Sequence, residues 1–224
     1  MADALQATRT FLTPFFGHPP LPWLMEPAEQ FALIALLQLT KPDVAIEIGT
    51  AEGGSLQVLA KLCRKVYSID MDSSCTKLKP RFPNVEFITG MSAVEIPKLL
   101  TRLQSAALGF VLVDGNHTEQ GVRADLAALL AFVPRNPLHI VMHDSFHPSC
   151  RRGIANAPWA ASAHVHAIEL DFVPGILFEN DEMWGGLALA RLDATKRGGP
   201  LTVNAQYQRT FDAAIESIQR KPPV

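Results

Sequence analysis

The chain predicts an α/β fold, a doubly wound parallel sheet with helices on both faces, and three observations predict it. Short apolar runs alternate with helix-compatible segments from Val44 onward; the first run enters a glycine-rich turn, VAIEIGTAEGGS at 44–55; and aspartates close the second, fourth and fifth runs. Parallel strands covered on both faces read as continuous apolar runs, and right-handed crossovers bring their carboxyl ends, with any ligand, to one edge.

Taken in order, residues 1–26 hold Phe11, Phe15, Phe16 and Trp23 among Pro14, Pro19, Pro20 and Pro22. That is too much proline for one helix and too many aromatics for a disordered tail. The segment is expected to close over a substrate, to form a homodimer contact, or simply to pack on the body. A helix follows at 28–39, with Phe31, Ile34, Ala35 and Leu39 as its apolar face and Lys41-Pro42 as its stop. Strands are expected at 44–48, 66–70, 85–89, 109–114 and 139–144, with helices at 55–63, 94–103 and 119–132 between them. Beyond Cys150 the pattern weakens; Arg151-Arg152 reads as a solvated helix start, two strands are expected at 164–172 and 186–191, and an amphipathic helix at 204–220. The whole reads as one domain: an aromatic and helical cap over 1–40, a core over 43–192, and a C-terminal helix over 200–221.

Composition narrows the class. With 224 residues, 48% hydrophobic and 19% charged, the chain suits one globular α/β domain, and no apolar run reaches the roughly 18 residues of a membrane span. A net charge of −2 without a long basic block argues against a nucleic-acid partner. Cys63, Cys75 and Cys150 lack metal-ligand spacing and cannot all pair, and no secretory signal is apparent, so a cytoplasmic setting is expected.

Glycines at Gly49, Gly53 and Gly54 let a ligand lie against main-chain N–H groups at a helix N-terminus. Glu47 stands two residues before Gly49. Against a pyrophosphate about 4 Å away it would cost on the order of 4 kcal/mol per unit pair at an effective dielectric of about 20. It suits a positive group instead, such as the ammonium or sulfonium of S-adenosylmethionine. Asp70, about 20 residues past the turn, is placed to accept from both hydroxyls of a ribose. Gly90-Met91-Ser92 can border an adenine ring, although Ser92 and Glu95 also have capping-box spacing.

VDGNHTEQG and MHDSFHP each deliver an aspartate to the same edge. Neighbouring strands lie about 4.8 Å apart, so Asp114 and Asp144 could share a hard divalent cation such as Mg²⁺, with Asp114 also touching cofactor or substrate. His117 or His143 would serve as general base for a substrate hydroxyl. Asn116 and Glu119 have capping-box spacing as well, Asp144 could serve only its own turn, and His147, His164 and His166 read as structural.

On these motifs, EIGTAEGGS with Asp70, VDGNHTEQGVRADL and MHDSFHP, the run from Val44 to about Arg191 resembles the class I S-adenosylmethionine-dependent methyltransferases. Within them it is similar to the small O-methyltransferase group related to cephalosporin hydroxylase and macrocin O-methyltransferase. The resemblance implies a Rossmann-like sheet of seven strands with the last antiparallel. It implies that Glu47, Gly49, Thr50, Gly53 and Ser55 form a methionine-binding loop, with Asp70 the ribose acid and Ser92 the adenine-side residue. Asp114 and Asp144 match acidic positions that hold a divalent cation in some members. Ser145 stands where an acid or amide often does, which leaves Asn116 and His117 as substitutes for a third ligand.

The expected activity is therefore O-methylation of a small-molecule hydroxyl, sugar or natural product in type. No [ND]-P-P-[YF] segment is present for base or amide methylation, and no Tyr-x-x-x-Lys pair for hydride transfer. The competing reading is a protein that binds S-adenosylmethionine without turnover.

Overall fold

The computed structural model describes residues 12–103, 107–178 and 182–220; Phe11 of the aromatic segment lies outside them. A helical turn at residues 12–16 (α1) and helix Pro27–Thr40 (α2) precede the sheet. Then follow β1 (Val44–Ile48), α3 (Leu56–Leu62), β2 (Lys65–Asp70), β3 (Val85–Thr89), α4 (Ser92–Arg102), β4 (Leu108–Val113), α5 (Glu119–Leu130) and β5 (Leu138–His143). The last third contributes α6 (Pro148–Ala155), β6 (Val165–Val173), β7 (Ile176–Leu177), β8 (Met183–Trp184), β9 (Leu187–Leu192), β10 (Thr202–Asn204) and α7 (Gln208–Arg220).

The main sheet runs β10-β6-β9-β5-β4-β1-β2-β3, and β7 and β8 form a separate hairpin. Only β9 is antiparallel to its neighbours, β5 and β6. The sheet therefore has eight strands, not seven. The eighth, β10, pairs parallel with β6 through Thr202–Asn204, so the C-terminal helix begins at Gln208 and not near 204.

All five β1 residues and all six β4 residues are buried, as expected of central strands covered twice. Alternation sorts them. Ile46, Ile48, Val111 and Val113 join the core under α4, α5 and α6, while Ala45, Phe110 and Leu112 join the opposite core with α2, α3 and the N-terminal segment. Chain order reverses at β1, which pairs with β2 on one side and β4 on the other. That switch point opens a crevice at the strands' carboxyl ends.

Several local expectations are corrected. Helix α2 buries Gln30, Leu33, Ile34 and Leu37, whereas Phe31 and Leu39 are exposed. The N-cap of α4 is Met91, so Ser92 does not cap that helix; α5 is capped by Thr118, whose hydroxyl accepts from the Gly121 N–H. Arg151 is 3% exposed inside α6, where it pairs with Asp171 at 2.8 Å, while Arg152 is the solvated member, bonded to Glu119. The three cysteines are buried and unpaired. Among the described residues no helix is long and apolar enough to cross a membrane.

Candidate active site

The glycine turn leaves β1 with Gly49 at φ 92°, and a Cβ there would lie 1.9 Å from the Asp114 carbonyl oxygen. Only glycine permits that approach between the ends of β1 and β4. Beneath the turn runs a polar ladder: the Ser55 and Ser68 hydroxyls bond the two Glu47 oxygens at 2.7 Å each, and Thr50 Oγ1 meets Ser68 Oγ at 2.6 Å. Burial pushes the Glu47 carboxyl up to about 8 against those two bonds. Glu47 is fully buried and faces the turn from below, not the cavity. Its two oxygens are taken up by the serines beneath the loop.

Asp70 closes β2 and is itself part of the turn. Its Oδ2 accepts from the Thr50 and Ala51 N–H groups, and its Oδ1 accepts from the Asp72 N–H. These bonds fix the carboxylate at the turn, where Asp70 lines the cavity.

One cavity of about 1660 Å³ runs from this turn across the switch point. Gly49, Thr50, Ser55, Asp70, Ser92, Asp114, His117, His143 and Asp144 all line it; Gly53 does not, being packed against Leu78 and Leu21.

At the far side, β4 and β5 deliver the second group. His143 Nδ1 lies 2.9 Å from Asp114 Oδ1 and 3.5 Å from Asp144 Oδ2; His117 Nε2 lies 3.3 Å from Asp144 Oδ2 and 3.6 Å from Asp114 Oδ1. Burial alone would raise Asp114, but the His143 charge and the two imidazoles outweigh it and hold the carboxyl at about 2. Burial opposes protonation of His143, yet Asp114, Glu29 and Asp144 raise it well above an ordinary imidazole. His117 is raised by Asp114 against its partial burial, with Asp144 adding to the shift. Asp144 adopts φ 56°, and its Oδ1 accepts from the Gly185 N–H, tying the β5 end to the β8–β9 turn. Among the described residues, Asp114, His143 and Asp144 form a cluster able to hold a metal ion, their donor atoms within 4.8 Å of one another. Asn116 does not join them: its Oδ1 accepts from the Thr118 N–H and hydroxyl. His164 and His166 bond the Asp193 and Thr195 carbonyls, away from the cavity, and His147 stacks on Trp184 at 4.3 Å.

Three cavity residues escape sequence reasoning. Glu29, on α2, is 1% exposed; its Oε1 accepts from the Gly186 N–H and faces His143 Nε2 at 3.4 Å. Its partner is 157 positions away, and nothing local marks it. Trp184 sets its ring edge-on to His117, with centroids 5.9 Å apart. Asp125, on α5, is buried beside Ser92 with Oδ2 unpartnered, and burial raises its pKa. Its position among the apolar residues of a helix gave the only available signal.

Comparison with known proteins places this geometry. The family model described as rhamnosyl O-methyltransferase/CmcI matches residues 15–182. The O-methyltransferase TomG from Streptomyces achromogenes, solved with SAM, is 19% identical and superposes with a TM-score of 0.57 over 85% of this chain and 90% of that one. An O-methyltransferase from Bacillus cereus in complex with SAH is 17% identical, with a TM-score of 0.57 over 84% and 91% of the two chains. MycE of the mycinamycin biosynthetic pathway, solved with Mg, SAH and mycinamycin VI, is 16% identical, with a TM-score of 0.56 over 86% of this chain and 57% of MycE. These are likenesses of fold. A protein-L-isoaspartate O-methyltransferase from Desulfotalea psychrophila is 36% identical over 56 residues, 25% of this chain. The chain thus spans about a quarter of that curated relative's length, 26%.

Proposed function

The chain belongs to the rhamnosyl O-methyltransferase/CmcI family, and from that premise we propose that it transfers the methyl group of S-adenosylmethionine to a hydroxyl oxygen of a small molecule, sugar or natural product in type. The observation that carries this reading is the continuity of one cavity. The turn residues Gly49 and Thr50, with Asp70 and Ser92, line it together with Asp114, His117, His143 and Asp144. Methyl transfer to oxygen needs a cofactor cleft opening in line onto a place where an acceptor hydroxyl can lose its proton.

In this proposal Gly49, Thr50 and Ser55 receive the methionine end, with Gly53 setting the turn behind them and Glu47 beneath it. Asp70 takes a ribose hydroxyl and Ser92 borders the adenine. S-adenosylmethionine, when bound, supplies an electrophilic methyl group on a sulfonium. Two carboxylates and an imidazole nitrogen fit a divalent cation, so Asp114 and Asp144 would hold one, Mg²⁺ being the ion present in the MycE complex. Such a cation, when bound, supplies a Lewis acid toward the acceptor oxygen. His117 accepts the hydroxyl proton. Its side chain is 42% exposed, against 11% for His143, so it is the imidazole an acceptor hydroxyl can reach. His143 lies between Asp114 and Glu29 at the same end of the cavity. The acceptor is neither nucleic acid nor membrane, and the chain works in the cytoplasm, alone or as a homodimer.

Calorimetry with S-adenosylmethionine and S-adenosylhomocysteine, followed by assay of S-adenosylhomocysteine release over a panel of hydroxylated acceptors, tests the reading. Both ligands bind, and at least one acceptor drives release. His117→Gln lowers kcat by about 10²–10⁴-fold, the range for a lost general base. Absence of binding by either ligand overturns the proposal, and binding without release for any acceptor favours a non-catalytic protein. Turnover that survives chelation and Asp144→Ala removes the cation from the mechanism.

A further inference from the structure

We propose that His143 is itself a ligand of the cation, held for that task by Glu29 as a positioning residue, and that the site selects a nitrogen-accepting divalent ion of the Fe²⁺, Co²⁺ or Zn²⁺ kind over Mg²⁺. The inference rests on the preceding reading only for the presence of a cation between Asp114 and Asp144.

The two edges of the His143 ring face different partners. Nδ1 lies 2.9 Å from Asp114 Oδ1 and 3.5 Å from Asp144 Oδ2. Donors about 2.1 Å from one ion and at right angles to each other stand about 3 Å apart. The Nδ1–Asp114 hydrogen bond thus has the spacing of adjacent ligands, and an ion would take the place of the proton it shares, with the Asp144 oxygen within 4.8 Å. Nε2 points the other way, 3.4 Å from Glu29 Oε1, and is buried without an aligned hydrogen bond. A carboxylate on the remote nitrogen is the usual support of a metal-bound imidazole: it keeps the proton on that nitrogen and leaves the other lone pair for the ion.

Glu29 fits the supporting role and not that of a ligand. It is 1% exposed, with Oε1 accepting from the Gly186 N–H and Oε2 accepting from the Glu26 N–H at 2.5 Å. Those bonds fix the carboxylate on α2 against the β8–β9 turn. The ion class follows from the donors. Mg²⁺ favours oxygen ligands and retained water, whereas an imidazole beside two carboxylates suits borderline transition ions.

The test uses chelator-treated full-length protein without cofactor, with Co²⁺ and Mg²⁺ as the probes. Proton NMR of the Co²⁺ form shows one hyperfine-shifted, exchangeable imidazole N–H resonance. It persists in His117→Gln and disappears in His143→Asp. By calorimetry, His143→Asp lowers the Co²⁺/Mg²⁺ affinity ratio at least about tenfold; the ratio is the measure because borderline ions bind most donors more tightly than Mg²⁺ does. Glu29→Gln weakens Co²⁺ binding about 10–100-fold, the span for lost support of a metal-bound histidine. A Co²⁺ form lacking that resonance overturns the proposal, as does an unchanged ratio in a folded His143→Asp protein. The wild-type spectrum needs no variant and stands if a variant fails to fold. Co²⁺ binding with the resonance but no binding of S-adenosylmethionine overturns only the methyltransferase reading. Methyl transfer by a protein that binds neither ion overturns only this one.

Discussion

Glu47 holds a proton that the unfolded chain would release. Its carboxyl sits at about 8 in the fold, against an ordinary value of 4.5, because burial outweighs the Ser55 and Ser68 bonds. Between those two values the native state binds one proton more than the unfolded state does. The contribution to stability is complete below about 4.5, falls as pH rises through about 8, and is flat beyond. Glu47→Gln removes that dependence. In urea denaturation at several pH values, the variant gains on the wild type by about 1.4 kcal/mol per pH unit across the window, reaching a few kcal/mol by pH 8. A constant difference across pH would mean that Glu47 is ionised under the turn. The residue's type and spacing identified the turn. Its direction did not follow from them, because a strand residue faces whichever side its register assigns, and here that side is the one with Ser55 and Ser68.

At the scale of elements, the alternating strands and helices of the first two-thirds were legible because each carries its own period, and β3 at Val85–Thr89 agrees to the residue. The stretch between Cys150 and His164 was not, although the two strands beyond it, β6 and β9, fall within a residue of expectation. Helix α6 has eight residues with Gly153 inside and two adjacent arginines of opposite fate, and is too short for its period to stand out. Arg151 is buried by contacts that arrive late in the chain: Asp171 from β6, Gln208 from α7, and the Phe211 ring 4.7 Å from its guanidinium. Arg151→Ala leaves the Asp171 charge buried with only the Tyr207 N–H at Oδ2, and should cost about 3–5 kcal/mol in thermal or urea unfolding. Arg151→Met with Asp171→Leu should recover most of that loss, since the charge and its desolvation go together. Failure of the double variant to recover would assign the cost to lost packing against Phe211. Helix α2 shows the same limit. Its apolar residues suggested a face through Phe31 and Leu39, but the buried stripe is Gln30, Leu33, Ile34 and Leu37, with Glu29 drawn in by Gly186.

For the molecule as a whole, the N-terminal segment decides what the cavity is. Leu12, Phe16, Trp23 and Met25 are buried in the core on the α2–α3 face, while Trp23, Leu24 and Met25 also line the cavity. A Cβ on Gly54 would lie 2.5 Å from the Pro22 carbonyl oxygen, so the segment is seated directly on the glycine turn. Trp23→Ala should cost about 3–5 kcal/mol, and deletion of residues 1–24 should give insoluble or unfolded protein by soluble yield and circular dichroism. A soluble, folded truncation that has lost only acceptor affinity would make the segment a detachable lid. The sequence by itself determined the α/β class, the switch-point turn and the aspartates and histidines at one sheet edge, because hydrophobic period and strand-end chemistry are local. Only the tertiary structure decided that Glu47 lies under the turn, that β10 adds an eighth strand, and that Glu29 meets His143. Those outcomes depend on contacts between residues far apart in the chain, and no local pattern records which distant partner satisfies a buried polar group.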